Sequence, residues 1–134
     1  MKYLLVVLLM ASLPGFARDS EPYRACSKKA KTQSEMNVCA SAEAARADGQ
    51  LNRKYRKLLA QAASQPEALA KIKAAQKAWV LYRDAYMDAT YPAKDKQAEY
   101  GSNYPLEADL LRARLTQQHL SDLDQLLKQY GGTE

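Results

Sequence analysis

Apolar residues return every three or four positions along three segments of the chain, which is the spacing of one face of an α-helix. The first segment follows Thr32-Gln33-Ser34-Glu35, a capping-box sequence typical of a helix N-terminus. Its stripe comprises Met36, Cys39, Glu43, Ala47, Leu51, Tyr55, Leu58 and Ala62, in which Glu43 is the only charged residue. The pattern predicts a helix that ends at Ser64-Gln65.

Two further helices are predicted on the same grounds. The second runs from about Pro66 to Asp88, with the stripe Leu69, Ile72, Gln76, Trp79, Arg83 and Tyr86, and with Val80 and Met87 alongside. The third runs from near Pro105 to about Tyr130 and ends at Gly131-Gly132, with the stripe Leu106, Leu110, Ala113, Gln117, Leu120, Leu123, Leu127 and Tyr130. Since no segment alternates with the period of a strand, we expect an all-α fold. The predicted architecture is a small antiparallel three-helix bundle with a disulfide-tied N-terminal arm.

Residues 90–105 have no helical period and form a predicted long loop between the second and third helices. They contain two prolines, one glycine and the aromatic residues Tyr91, Tyr100 and Tyr104. Loops of this length in a small domain are often functional or mobile.

The N-terminus has the layout of a secretory signal peptide. Lys2 precedes an apolar run from Tyr3 to Leu13, and Gly15-Phe16-Ala17 supplies small residues for a peptidase. A membrane anchor is disfavoured, because a bilayer span needs about 20 apolar residues. We expect cleavage after Ala17, with a single domain at 18–134 that is periplasmic or secreted and has no membrane anchor.

The two cysteines, Cys26 and Cys39, are predicted to form a disulfide, because export places them in an oxidising compartment. A zinc site is the alternative. It is disfavoured, since the single histidine is distant in sequence and the cysteine spacing matches no common zinc motif. We therefore expect no metal and no cofactor.

The charge of the chain does not indicate nucleic-acid binding, and its motifs do not indicate catalysis. The net charge of +5 is spread along helical faces without a block of like charges, which favours a solvated surface. No nucleophile elbow, phosphate-binding glycine loop or metal-ligand cluster is present. A bundle of this size also seldom forms the cleft that a carboxylate pair needs. The expectation is a binding protein with a protein partner, not an enzyme; the sequence does not indicate its oligomeric state.

Gln76, Trp79 and Arg83 lie on one face of the second predicted helix and allow two interpretations. Trp and Arg dominate binding hot spots, yet the same residues could frame a core tryptophan. The structural interpretation is favoured. We further hypothesise that Asp48 forms a bidentate ion pair with Arg83 across the bundle. His119 is expected to be a surface residue.

The order of several short motifs resembles the LprI-type lysozyme-inhibitor domain, from about Cys26 to Leu127. Besides Cys26 and Cys39, the motif residues are Thr32, Met36, Asp48, Leu51, Asn52, Tyr55, Gln76, Trp79, Tyr82, Arg83, Asp84, Gly101, Ser102 and Thr116. The resemblance implies an exported helical domain, a bridge between the two cysteines and inhibition of lysozyme. Many members carry a second cysteine pair where this chain has Met87 and Leu111, and an arginine where it has His119.

For lysozyme inhibition, the loop from Thr90 to Tyr104 is the candidate partner-binding segment. Its predicted contact residues are Tyr91, Tyr100, Gly101, Ser102, Asn103 and Tyr104. Animal lysozymes are generally basic, so binding would need a local acidic patch, for which the candidates are Asp88, Asp95, Glu99, Glu107 and Asp109.

Three functional classes predict three different surfaces. An inhibitor of a cell-wall hydrolase predicts an exposed aromatic loop with acidic surroundings. An envelope interaction or immunity module predicts an exposed apolar patch on the helices. An enzyme acting on peptidoglycan or sugars predicts a concave pocket with two carboxylates.

Overall fold

The computed structural model describes residues 19–131, and every regular element in that range is helical. The elements are α1 (Glu21–Lys29), α2 (Gln33–Gln61), α3 (Pro66–Thr90), the short α4 (Lys96–Tyr100), a 3-10 turn (Gly101–Asn103) and α5 (Tyr104–Tyr130). The predicted all-α class is confirmed for this part of the chain. The predicted signal peptide, residues 1–17, lies outside the described residues. Across residues 19–131, no helix is both long and apolar enough to cross a bilayer.

The N-terminal arm is itself a helix, and the predicted disulfide ties it to the start of α2. Ser20 caps α1 by accepting a hydrogen bond from the backbone N–H of Tyr23. Cys26 of α1 is bonded to Cys39 of α2. Tyr23, Cys39 and Ala40 form a small buried cluster at this junction. The disulfide therefore crosses a packed apolar contact between the two helices.

The helix α2 begins at the capping box that the sequence indicates. The Thr32 side chain accepts from the Glu35 N–H at 3.2 Å, and the Glu35 carboxylate accepts from the Thr32 N–H at 3.0 Å. These bonds satisfy backbone donors that the first helical turn leaves without partners. The helix then continues for 29 residues.

The core lies between α2 and α5, which pack against each other along most of their length. Near the disulfide end the contact uses small side chains, including Ala44, Ala47 and Ala113. Towards the other end it uses larger ones, among them Leu51, Leu58, Leu120 and Leu123, and Ile72 of α3 packs into the same cluster. Burial of these apolar side chains is the main stabilising term of the fold.

The third long helix, α3, packs less closely than a symmetric three-helix bundle requires. Only Ile72 of its 25 residues is fully buried. Its inward stripe contains bulky polar and aromatic side chains in place of the alanines that let α2 and α5 approach each other. Tyr86, predicted to lie in that stripe, is 42% exposed where it lines a cavity beside α5. The predicted bundle is thus a tight α2–α5 pair with α3 attached beside it.

The predicted long loop is shorter than expected, because residues 96–103 are helical. Asp95 caps α4 by accepting a hydrogen bond from the Ala98 N–H at 2.9 Å. The 3-10 turn then leads directly into α5. The prediction of an irregular connection over residues 90–105 is therefore correct only for its first few residues.

Removal of the disulfide should destabilise the protein. For the double variant Cys26→Ser/Cys39→Ser we expect a loss of about 2–4 kcal/mol in the free energy of unfolding, because the unfolded chain gains conformational freedom. Urea titration of the variant and of the oxidised wild type measures this loss. Reduced wild-type protein is the control and should match the variant; equal stability of all three would contradict the prediction.

Candidate functional site

Trp79 is the centre of a stack that attaches α3 to α5. Its indole lies parallel to the imidazole of His119, with the ring centroids 4.2 Å apart and the planes 6° apart. The guanidinium carbon of Arg83 lies 5.2 Å from the indole centroid, within the range of a cation–π contact. Gln76 Oε1 lies 3.0 Å from His119 Nε2. These contacts agree with the interpretation that Gln76, Trp79 and Arg83 frame the bundle.

Asp48 and Arg83 lie on the same side of the bundle but do not form the hypothesised bidentate pair. Arg83 Nη1 is 4.0 Å from Asp48 Oδ1, whereas its Nε and Nη2 each lie 2.9 Å from Oδ1 of Asp84. Arg83 therefore pairs mainly with Asp84, its neighbour in sequence. Asp48 Oδ1 instead accepts from the hydroxyl of Thr116, a fully buried residue of α5.

His119 is largely covered by its neighbours, so its prediction as a surface residue is wrong. Its side chain is 10% exposed beneath Trp79. Burial lowers the pKa of His119 below its ordinary value, although a hydrogen bond and the charge of Asp122 act in the opposite direction. Asp122 is 70% exposed, and solvent therefore screens much of its attraction.

The other motif residues of the family resemblance occupy three environments. Thr32 caps α2, as described above. The apolar members are buried or half-buried, namely Leu51, Met36 and Tyr55. The exposed members are Asn52, Tyr82 and Asp84. Several motif residues thus maintain the fold, and the exposed ones remain available for contact.

The three tyrosines of residues 90–104 pack against one another, and we call Tyr91, Tyr100 and Tyr104 the tyrosine cluster. The Tyr91 ring makes edge contacts with the rings of Tyr100 and Tyr104, at centroid distances of 5.3 and 5.1 Å. All three are half-buried. Burial raises the pKa of Tyr91, with smaller effects from Glu107 and neighbouring tyrosines in the same direction. The rings therefore stabilise the segment internally and are less exposed than the aromatic loop that the inhibitor interpretation predicted.

Hydrogen bonds fix the backbone around this cluster. The Ala93 N–H donates to the Tyr100 hydroxyl at 3.1 Å. The Lys96 ammonium donates to the carbonyl oxygens of Tyr91 and Ala93, at 2.6 and 3.2 Å. Gly101 has φ = +73° and ψ = −167°, a conformation that is essentially reserved for glycine. The turn after α4 therefore depends on Gly101.

Gly101, Ser102 and Asn103 form an exposed turn, which we call the tip. Asn103 Oδ1 accepts from Gln33 Nε2 at 3.2 Å, which connects the tip to the start of α2. Asn103 Nδ2 donates to Glu107 Oε1 at 2.5 Å. The tip is therefore held in place by the ends of two long helices, and Ser102 projects from a fixed backbone.

The chain segment that contains the tip is acidic, although the chain is basic as a whole. Residues 84–109 contain six carboxylates and two lysines, a net charge of −4 against +5 for the entire chain. Arg83 and Arg112, which flank this segment, pair with its Asp84 and Asp109. Four of the acidic residues proposed from the sequence are exposed, namely Asp88, Asp95, Glu99 and Glu107. The fifth, Asp109, is partly covered and pairs with Arg112 at 2.8 Å.

A cavity of about 380 Å³ opens beside this region, between α5, the end of α3 and the residues before α1. Its lining includes Asp19, Glu43, Tyr86, Tyr91, Glu107 and Arg114. Glu43 is 3% exposed, and both of its oxygens have partners. Ser20 Oγ donates to Oε2 at 2.5 Å, Gln117 Nε2 donates to Oε1 at 2.9 Å, and Arg46 forms an ion pair with Oε2.

The cavity contains carboxylates, but their hydrogen bonds favour a structural role. Glu43 joins α2 to α5 and to the residue before α1, and a buried carboxylate with such partners is stable only while they remain. Glu107 is bonded to Asn103 of the tip. No cluster of metal-ligating side chains occurs among the residues that the structure describes.

Two features of this region were missed at the level of sequence. The partners of Glu43 lie at positions 20 and 117, too far along the chain for a local pattern to connect them. The sequence did give one signal: Glu43 is the only charged residue in an apolar stripe. A carboxylate buried there requires hydrogen-bond partners. For His119, the signal of burial was its position in the helix. It follows Thr116 by three residues and so lies on the face of α5 that carries Leu123.

Comparison with known proteins agrees with the motif order. The family described as Lysozyme inhibitor LprI matches residues 26–123, a range that includes both cysteines, the Trp79 stack and the tip. A relative from Rhizobium meliloti (strain 1021), named "Uncharacterized protein R02472", is 32% identical over 135 residues and covers 92% of each chain. No solved structure matches the chain. The chain belongs to the LprI lysozyme inhibitor family, which is a family of inhibitors and not of enzymes.

Acidification through the pKa range of His119 should destabilise the fold. The folded-state pKa lies below the unfolded value of about 6.5, so the unfolded chain takes up the proton first as the pH falls. The neutral imidazole therefore contributes its full stabilisation of the fold above pH ~6.5. This stabilisation is lost as the pH falls from that value to the lower pKa of the folded state. We expect wild-type stability, measured by urea titration, to fall more steeply below pH ~6.5 than that of His119→Asn. Parallel pH profiles would contradict this.

Alanine substitution should have opposite effects at two glycines. Gly101→Ala should cost about 1–3 kcal/mol, because the residue has a backbone conformation that disfavours any Cβ. Gly49→Ala is the matched control and should stabilise by up to about 1 kcal/mol, since it lies inside α2. Its Cβ would meet only the flexible Arg53 side chain, at 3.4 Å. Thermal unfolding of both variants measures the difference; a neutral Gly101→Ala would contradict the assignment.

Proposed function

We propose that this protein is exported and that it binds and blocks a lysozyme or a related cell-wall hydrolase. The observation that carries the proposal is the match to the lysozyme inhibitor family over residues 26–123. The disulfide supports export, because such bonds persist in oxidising compartments. The structural roles of Glu43 and Glu107 further support a binding protein over an enzyme.

The proposed contact surface is the tip together with its acidic surroundings. The tyrosine cluster and the bonds of Asn103 hold the tip in one conformation before any partner arrives. Such preorganisation reduces the entropy that is lost on binding. The tyrosines then act chiefly as a support. The Ser102 hydroxyl and the second N–H of the Asn103 amide, which the bond to Glu107 does not use, are the donors for the catalytic carboxylates of a hydrolase.

The charge distribution supports a basic partner. The acidic segment 84–109 would attract a basic hydrolase even though the whole chain is basic. Charges around the rim of a contact mainly accelerate association and make it sensitive to salt. Inhibition should therefore weaken as the ionic strength is raised.

A second candidate function is an envelope interaction or immunity module without activity on lysozyme. One observation favours it: Leu81 and Tyr82 on α3 are 63% and 56% exposed, which is unusual for large apolar side chains. In that case the partner would contact α3 and not the tip.

Substitution at the tip should distinguish these surfaces. We expect Ser102→Arg to weaken lysozyme inhibition roughly tenfold or more, because a bulky cation would occupy the contact and oppose a basic partner. The matched control, Ser64→Arg, places the same group in the exposed turn between α2 and α3 and should leave inhibition unchanged. Residual lysozyme activity against inhibitor concentration measures both.

Two results would overturn the proposal. Equal inhibition by the two variants would exclude the tip as the contact surface. Full activity of several lysozyme types at a large molar excess of the oxidised wild-type protein would exclude lysozyme inhibition, and would favour the second candidate.

A further inference from the structure

The outer face of α3 is mainly apolar between positions 70 and 85, where Lys71 interrupts it, and it has no partner among residues 19–131. We define it by the residues Ala70, Ala74, Ala78, Leu81, Tyr82 and Ala85, all of which are exposed. Its two large members, Leu81 and Tyr82, are among the most exposed large hydrophobic residues of positions 19–131. Steps of three and four place these residues on one side of the helix, opposite Ile72 and Trp79. Such a face on a 25-residue helix is a surface for another helix.

A row of four charges runs along one flank of this face. Lys73 and Lys77 lie one turn apart in the first half, and Asp84 and Asp88 lie one turn apart in the second half. Like charges at this spacing repel each other within a helix. Lys73, Lys77 and Asp88 form no ion pair within the described range, and Asp84 contacts only the adjacent Arg83. The row is thus basic at one end, acidic at the other and largely unneutralised.

We propose that the outer face of α3 binds a second copy of this chain, with the two α3 helices antiparallel. A two-fold axis perpendicular to antiparallel helices leaves each flank facing the same flank of the partner helix. With the axis midway between positions 80 and 81, Lys73 faces Asp88 of the second copy. The same axis position sets Lys77 against Asp84 of the second copy.

Both kinds of pair require the same axis, so all four contacts of the symmetric dimer form together. The axis also places Leu81 at the centre of the contact, where its exposed side chain becomes buried against its own symmetry mate. A parallel arrangement would instead set this charged flank against the opposite flank of the partner helix, so none of these four pairs would form. Charge complementarity therefore selects a second copy in the antiparallel orientation. This inference is independent of the proposed activity on lysozyme.

Charge reversal tests the orientation. Sedimentation velocity of the oxidised protein over a range of concentrations should show a monomer–dimer equilibrium. The variants Lys73→Glu/Lys77→Glu and Asp84→Lys/Asp88→Lys should each dimerise at least roughly tenfold more weakly, because every flank pair becomes repulsive. An equimolar mixture of the two variants should dimerise as well as the wild type, since all four pairs are then attractive again.

A matched control separates local from global charge effects. Arg56→Glu/Lys57→Glu changes the net charge by the same amount at exposed positions on α2, and its dimerisation should equal that of the wild type. Leu81→Asp should abolish dimerisation while the monomer keeps its thermal stability. Circular dichroism of each variant verifies that the helices are intact.

Three outcomes would overturn the proposal. The first is a wild-type protein that remains monomeric at all concentrations. The second is a dimer that tolerates Leu81→Asp or the charge reversals, which would place the contact elsewhere. The third is a monomer whose binding to a hydrolase is lost on Leu81→Asp, which would assign the face to that partner. Failure of lysozyme inhibition alone would leave the dimer proposal unaffected.

Discussion

The close packing of α2 against α5 is the contact on which the rest of the structure depends. Small side chains such as Ala44, Ala47 and Ala113 let the two backbones approach near the disulfide end. At that end, Gln117 of α5 also bonds to the buried Glu43 of α2, and Thr116 bonds to Asp48. Apolar burial and satisfied polar groups thus fix a single register for the pair. Every other element is positioned relative to this two-helix core.

The peripheral elements are attached to the core by different kinds of contact. A covalent bond and a small apolar cluster hold α1. An aromatic stack between Trp79 and His119 holds α3, whose far side stays exposed. The tip is fixed by Asn103, between the start of α2 and the start of α5. The core thereby presents two distinct surfaces: the tip, which lies within an acidic segment of the chain, and the outer face of α3.

The sequence was most informative where a local pattern determines a local structure. The capping box located the start of α2, and helical periodicity located α3 and α5 within a few residues. Periodicity indicates which face of a helix is apolar, but not how much of that face a neighbour covers. The incomplete burial of α3 was therefore not predictable. Neither was the stack of Trp79 on His119, since a lone histidine has no pattern of its own.

Features built from distant positions were recovered only in part. Glu43 stood out as the one charge in its stripe, yet its partners Ser20 and Gln117 could not be identified without the fold. The short helix α4 is too brief to show a period, although Asp95 supplies its cap. The acidic character of residues 84–109 could be predicted from the sequence. That its tyrosines would pack against one another and become half-buried depends on a three-dimensional arrangement.

The order of the helices along the chain affects how the protein can be made. The helix α2 ends at Gln61, and its partner α5 begins only at Tyr104, so α3 and the tip must be synthesised before the core can form. Until then the apolar stripe of α2 has no partner, and closing such a long intervening segment slows folding. The core of a growing chain therefore cannot form until α5 is complete. A chain truncated before α5 would expose that stripe permanently and become a substrate for proteolysis.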